Sequence, residues 1–270
     1  MFKCNELIYI QIQKTACTHI AALLTQLFDG NIIGKHNRAS LTEINTTPYF
    51  IASMRNPWDW YLSLWTFGVS KRGGLHERLT QKRWQDLIRS ISKNPKNTLQ
   101  YCLQFLQKDT QKWQAVYQSN TDIAAFRQWL KQIHQPGNDL GEGYIESGMS
   151  QSIGFMSYRY FSLCCQIERW PKMANASLTE LDTLKQLDQQ YCYIDDFVRQ
   201  ENLENSLIEV LNKVRPLSSQ EKLLIQNSQK TNASLRAFTL NDYYDQYSVD
   251  LIANRDKLLI EKFNYQPPEL

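Results

Sequence analysis

IYIQIQKTACTHIAALL, Ile8 to Leu24, changes its period in the middle. Ile8, Ile10 and Ile12 alternate with Tyr9, Gln11 and Gln13, the two-residue rhythm of a strand. From Ile20 onward the apolar positions Ile20, Leu23, Leu24 and Leu27 follow the three-and-four spacing of a helix. Between the two rhythms lie Lys14, Thr15, Thr18 and the small residues Ala16 and Cys17. Strand, tight turn and helix together aim backbone N–H groups and the positive end of a helix at an anion. The lysine and two hydroxyls add a cation and hydrogen-bonding groups to that turn. A plain βα unit with a solvated lysine fits the same local pattern.

At 270 residues the chain can form one large domain, or a domain carrying a substantial insertion. With 42% hydrophobic and 21% charged residues it reads as globular rather than disordered. The formal net charge of +3 is too small to argue for nucleic acid or a membrane surface, so any anion site must be local. No early apolar run approaches the length of a spanning helix, and MFKCNEL does not read as a signal peptide. The expectation is a cytoplasmic chain with no integral membrane segment. Cys4, Cys17, Cys102, Cys164, Cys165 and Cys192 form no CxxC pair and show no metal-ligand spacing with the four histidines. They are expected as reduced, mostly buried thiols, with no metal.

Outward from the opening stretch, NIIG is short and β-prone, and Ser40 and Glu43 stand in capping-box spacing. PYFIASM, Pro48 to Met54, is apolar on both faces, as in a buried parallel strand, and runs into RNPWDWYLSLW. Pro57 falls where the first turn of a helix tolerates proline. The device of buried strand, polar turn and helix thus occurs twice. Two such turns place anion-binding edges at the carboxyl ends of neighbouring strands. Residues from about 69 to 162 read as mostly helical, with helices over Glu77–Lys93, Thr98–Gln107 and Asp122–His134 and a loop at QPGNDLGEG. GFMSYRYFSLCC reads as a buried aromatic helix. CYIDDFVR returns to strand, LENSLIEVLNKV is an amphipathic helix, and SVDLIANRDKLLIEKFNY reads as one more. Only QPPEL looks loose.

IQKTACTHI resembles the IPKTGGTS-type turn of 3′-phosphoadenosine 5′-phosphosulfate (PAPS) dependent sulfotransferases. RNPWDWYLS resembles their second motif, an Arg, then Asp or Asn, Pro, and a Ser eight residues after the Arg. VRQENLENSLIEVL, IGFMSYRYF and the segment from Thr231 to Tyr265 are similar to a bacterial carbohydrate-type branch, so the resemblance runs in order over nearly the whole chain. It implies a P-loop-like α/β fold, a parallel sheet flanked by helices with a mostly helical insertion. Residues 1–68 would be cofactor-binding βα units, about 69–162 the insertion, and about 163–270 the completion of the sheet and the C-terminal helices.

By that resemblance Lys14 contacts the bridging and leaving oxygens of PAPS, while Thr15 and Thr18 cradle the 5′-phosphate, with Gln13, Ala16, Cys17 and His19 completing the turn. Gln13 stands in place of the usual proline, and Cys17 in place of the second glycine, where a positive φ would be strained. Arg55 and Ser63 supply the 3′-phosphate site, a planar fork and a hydroxyl. Arg55 could instead cap a neighbouring helix. Lys230, Asn232, Ser234 and Arg236 match a loop that closes over the nucleotide in similar enzymes, or form an ordinary capped loop. Trp58, Trp60 and Trp65 read as core.

Sulfuryl transfer needs a base for the acceptor hydroxyl. His36, in GKHNRASL between the two motifs, is the candidate, with His19 as its rival. His76 and His134 read as surface residues, and Glu201 as a carboxylate ordering the sheet edge. The expected activity is metal-free, in-line transfer of a sulfuryl group from PAPS to a hydroxyl of a carbohydrate or glycan. A non-catalytic PAPS- or glycan-binding relative and a P-loop-type kinase remain as alternatives, the latter without a GxxxxGKS/T turn. The sequence names neither the acceptor nor the oligomeric state.

Overall fold

The structure is a computed structural model and describes the whole chain except residues 48, 94, 136–139, 142, 146, 167–177 and 229–235. Among the described residues five strands, β1 (Phe2–Cys4), β2 (Ile8–Ile10), β3 (Gly30–Ile32), β4 (Phe50–Met54) and β5 (Asp196–Arg199), form one sheet in the order β3-β1-β2-β4-β5. The helices are α1 (Cys17–Leu27), α2 (Leu41–Thr46), α3 (Pro57–Val69), α4 (Gly74–Thr80), α5 (Trp84–Lys93), α6 (Thr98–Gln107), α7 (Thr110–Ala115), α8 (Ile123–Ile133), α9 (Phe155–Cys164), α10 (Leu181–Tyr191), α11 (Leu203–Val214), α12 (Ser219–Gln226), α13 (Leu240–Tyr243), α14 (Gln246–Arg255) and α15 (Lys257–Phe263). Among the described residues no helix is long and apolar enough to cross a membrane.

The α/β class holds, but the sheet is mixed rather than parallel. β2, β4 and β5 run parallel, with Ile10 beside Ala52 and Ala52 beside Phe197. β1 pairs antiparallel with both β2 and β3. β3 therefore runs in the same sense as β2, and β1 alone opposes the other four strands. With three residues, β1 is too short to show a period in the sequence.

The chain divides into two compact units. Met1–Trp60, Ser152–Ala233 and Asp250–Pro267 form the first; Tyr61–Gln151, Ser234–Val249 and Pro268–Leu270 form the second. The division falls inside α3, α9 belongs with the sheet, and 234–249 joins the helical unit.

In the first unit one sheet face buries Phe2, Tyr9, Ile51 and Val198 against Ile20, Ala21 and Leu24 of α1 and Leu203, Leu207 and Leu211 of α11. On the opposite face Phe197 meets Tyr160 of α9 at 5.9 Å and Phe263 of α15 at 5.0 Å between ring centroids. The amphipathic reading of Leu203–Val214 is thereby explained, since its apolar stripe is what covers the sheet. The capping box at α2 is formed, with Ser40 N–H donating to Glu43 Oε2 at 2.8 Å and Glu43 N–H to Ser40 Oγ at 3.3 Å.

The tail, expected as one helix, breaks at Asp256 into α14 and α15. The Asp256 carboxylate is fully buried and accepts from Ser157 N–H at 2.8 Å and Ser157 Oγ at 2.7 Å, so it satisfies the first turn of α9. Gly154, the N-cap of α9, lies so close that an added Cβ would sit 2.2 Å from Asp256 Oδ2. Gly154→Ala is expected to destabilise the protein by about 1–3 kcal/mol, the scale of overpacking. Combined with Asp256→Ala it should cost less than the two changes separately, because the smaller residue removes the clash. Denaturant midpoints of the four proteins check this; strict additivity would mean the clash is relieved by other movements.

In the second unit the expected helix over Glu77–Lys93 is interrupted between α4 and α5, and α7 is additional. Trp65 and Phe126 pack at 5.3 Å and Phe126 and Tyr243 at 5.7 Å, with Trp65 Nε1 donating to the Val116 carbonyl at 2.7 Å. His134 is no surface residue. It is 5% exposed, its Nδ1 donates to the Leu130 carbonyl at 2.8 Å, and its Nε2 lies 3.2 Å from the Tyr61 hydroxyl. It extends the buried face of Phe126, Leu130 and Ile133 by one step of four. His76 is half-buried, and burial lowers its affinity for a proton.

Candidate functional site

The four strands of common direction deliver their carboxyl ends to one edge of the sheet. β2 leads into the turn from Gln11 to Thr18, β3 into Gly34–Lys35–His36, β4 into Arg55 and β5 into Gln200–Glu201. Ligands of open α/β sheets bind at such an edge.

The turn is held from beneath. Thr15 is fully buried, and its hydroxyl donates to the Ile12 carbonyl at 2.8 Å. A hydroxyl has one proton, so the 2.7 Å contact with Ser53 Oγ must be donated by Ser53. By the same rule Tyr9 donates to Ser53 at 2.6 Å. This directed chain, Tyr9 to Ser53 to Thr15 to Ile12, ties β2, β4 and the turn together. The Thr15 hydroxyl therefore staples the turn from inside. Gln11, 1% exposed, adds a brace by donating from Nε2 to the Cys17 carbonyl at 3.3 Å.

Left-handed backbone occurs at Lys14 (φ 61°) and Ala16 (φ 60°), not at Cys17. Cys17 is the first residue of α1, so a side chain there meets no backbone strain. Burial pushes its thiol up from the ordinary range, as suits an inert packing residue. Ala16 is the N-cap and offers no side-chain cap to the first amides of α1. Thr18 is exposed. Gln13 gains one contact that proline could not give, because its Oε1 accepts from Arg159 Nε at 2.9 Å; its carbonyl accepts from Trp60 Nε1 at 2.6 Å. Trp58 and Trp60 are core, at 1% and 0% exposure.

Arg55 is held from two sides. Its Nε and Nη2 lie 2.7 and 2.6 Å from Asp59 Oδ2, one helical turn on, and its Nη1 donates to the Lys14 carbonyl at 3.0 Å. It thus joins the end of β4 to the first turn. Asn56 caps α3 by accepting from Trp58 N–H at 3.0 Å, and its own N–H donates to Glu201. Glu201 orders this edge, and Gln266, at the start of the supposedly loose tail, is held there by Asn56 Nδ2 at 2.9 Å. Ser63 lies in the second unit, 1% exposed. Lys230, Asn232 and Ser234 lie outside the described residues.

The two histidines have different surroundings. His36 is half-buried at φ 58°, and its Nδ1 lies 2.9 Å from the Gln11 carbonyl. A carbonyl only accepts, so Nδ1 carries the proton and the neutral ring keeps its lone pair on Nε2. His19 is 6% exposed, and its Nε2 lies 3.1 Å from Ser228 Oγ. The Ser228 proton goes to the Ile225 carbonyl at 2.6 Å, so His19 donates and is packed against the end of α12.

Tyr9, Gln11, Ser53, Asp59 and Arg159 were not singled out by sequence. The signal for Gln11 was present, as a polar residue inside an alternating apolar strand. Asp59 stands four positions after Arg55, a spacing visible in the sequence, whereas the partnerships of Tyr9, Ser53 and Arg159 reach up to 146 positions and leave no local trace. No family model, no curated protein and no solved structure matches this chain.

Proposed function

We propose that this chain is a P-loop-like sulfotransferase that moves the sulfuryl group of PAPS to a hydroxyl of a carbohydrate or glycan. The observation that supports it best is the shared carboxyl edge, which gathers the Lys14 turn, Arg55 and a histidine with a fixed tautomer. In this reading the Cys17 and Thr18 amides and the positive end of α1 receive the 5′-phosphate. The Lys14 ammonium stabilises the charge that grows on the bridging oxygen as the sulfur–oxygen bond breaks. His36 Nε2 takes the acceptor proton as the acceptor oxygen bonds to sulfur, and adenosine 3′,5′-bisphosphate departs. Arg55 receives the 3′-phosphate, with Asp59 holding its fork in orientation.

Binding and turnover test this. Arg55→Ala is expected to weaken adenosine 3′,5′-bisphosphate by about 2–4 kcal/mol, the scale for losing one partner of a charge-assisted contact. Adenosine 5′-phosphate, lacking the 3′ group, should bind almost unchanged. Equal losses for both would make Arg55 purely a brace between Asp59 and Lys14. Preference for ATP over the bisphosphate would favour a kinase. Tight bisphosphate binding with no transfer of labelled sulfate to any of a panel of glycans and hydroxylated metabolites would favour a non-catalytic relative.

A further inference from the structure

Away from this edge, Cys165 follows α9 and Cys192 follows α10, and the two face each other across an isolated antiparallel bridge. Gln166 N–H donates to the Tyr191 carbonyl at 3.0 Å and Tyr193 N–H to the Cys164 carbonyl at 3.1 Å. These bonds flank the cysteines, which makes them a non-hydrogen-bonded pair, the kind whose α-carbons approach to about 4.5 Å. That spacing lies within the roughly 4.4–6.8 Å that a disulfide spans. The two sulfurs and an Asp188 oxygen all lie within 4.8 Å of one another.

The pair is chemically unequal. Cys165 is 1% exposed, and burial pushes its thiol well up. Cys192 is half-buried, and its thiol is lowered, first by a hydrogen bond from Cys165 and further by the Lys262 ammonium. One thiol is disposed to attack and the other to wait.

A metal ion is a poorer fit for the same three donors. Tyr160 donates to one Asp188 oxygen, and the Lys262 ammonium sits 2.6 Å from the other. The cation's place beside the carboxylate is already taken. A cleft of about 310 Å³, lined by Lys185, Asp188, Gln189, Leu258, Glu261 and Lys262, shares Asp188 and Lys262 with this cluster.

We propose that Cys192 is a modification site for low-molecular-weight disulfides, and that Cys165 resolves the adduct into a cross-strand disulfide. The Cys192 thiolate attacks one sulfur of RSSR, forming a mixed disulfide and releasing RS⁻, which takes up the proton Cys192 lost. Cys165 then gives up its proton and attacks Cys192 Sγ, and the second RS⁻ leaves with that proton. Two protein thiols are oxidised by two electrons, and one RSSR is reduced to two RSH. Cys164, although adjacent in sequence, is fully buried and presents its carbonyl to the bridge rather than facing Cys192.

The test incubates the full chain with glutathione disulfide, then alkylates the remaining thiols under denaturing conditions and maps the peptides. The wild type should lose two alkylatable thiols, with the peptides of Cys165 and Cys192 joined. Cys164→Ser should behave the same way. Cys165→Ser should stop at one glutathione adduct on Cys192, and Cys192→Ser should react at least about tenfold more slowly, as expected when the thiolate-bearing residue is lost. The wild-type linkage needs no variant to fold. An adduct persisting on wild-type Cys192, first modification at Cys102, or undiminished oxidation of Cys192→Ser would overturn the proposal. So would one zinc per chain retained through gel filtration with both thiols protected from alkylation.

Discussion

His36→Ala is expected to lower turnover by about 10²–10⁴-fold while leaving nucleotide affinity nearly intact, the scale and pattern for loss of a general base. The expectation rests on the bond from Nδ1 to the Gln11 carbonyl, which fixes the ring so that Nε2 holds the lone pair. A structural role for the same bond would also lower activity, so a second substitution is needed. His36→Asn can still donate to a backbone carbonyl, and asparagine tolerates the left-handed backbone found at φ 58°. It cannot accept a proton near neutral pH. His36→Asn should therefore keep the melting temperature and nucleotide affinity and lose the rate. The acidic limb of the wild-type kcat/KM profile, where an imidazole base becomes protonated, should vanish in both variants. His19→Ala should act differently, loosening the contact with Ser228 and lowering stability first. Full activity in His36→Asn with the limb preserved would remove His36 from the reaction and turn attention to Glu201.

What could be read from the sequence follows from how far each interaction reaches. Ile20, Leu23 and Leu24 express their burial through local period and α1 forms around them, while β2 forms at Ile8–Ile10 but is buried on both faces, Tyr9 as fully as its isoleucine neighbours. Ser40 and Glu43 are three apart, so their capping box was visible too. Asp256 was not legible as a helix break. In an amphipathic tail it looks like one more solvated carboxylate, whereas its partner Ser157 lies 99 residues away. His134 misled for a similar reason, since a lone polar residue at the end of a helix carries no sign of the Tyr61 hydroxyl beside it. At the candidate site the sequence displays the lysine, hydroxyls and arginine on which the proposed anion site rests. Their bracing was mostly not legible: the Tyr9–Ser53–Thr15 chain and the Gln13–Arg159 contact need the tertiary fold, whereas Arg55 and Asp59 stand one helical turn apart.

Lys14→Ala should reduce kcat by about a hundredfold or more, the usual scale for a contact made to charge that develops in the transition state. Adenosine 3′,5′-bisphosphate should bind with a smaller change. The substitution is well posed because what Arg55 holds is the Lys14 carbonyl, which alanine keeps. The turn's link to β4 thus survives while the ammonium is removed. Backbone strain can be separated from charge at the same position. Lys14 sits at φ 61°, a conformation that costs an L-residue roughly 1–2 kcal/mol and glycine almost nothing. Lys14→Gly should accordingly be more stable than Lys14→Ala and equally slow. A glycine variant that recovers rate along with stability would show that turn geometry, not the ammonium, limits turnover. If kcat survives in both variants and only KM rises, Lys14 binds ground state and transition state alike, and its place at the leaving oxygen is lost.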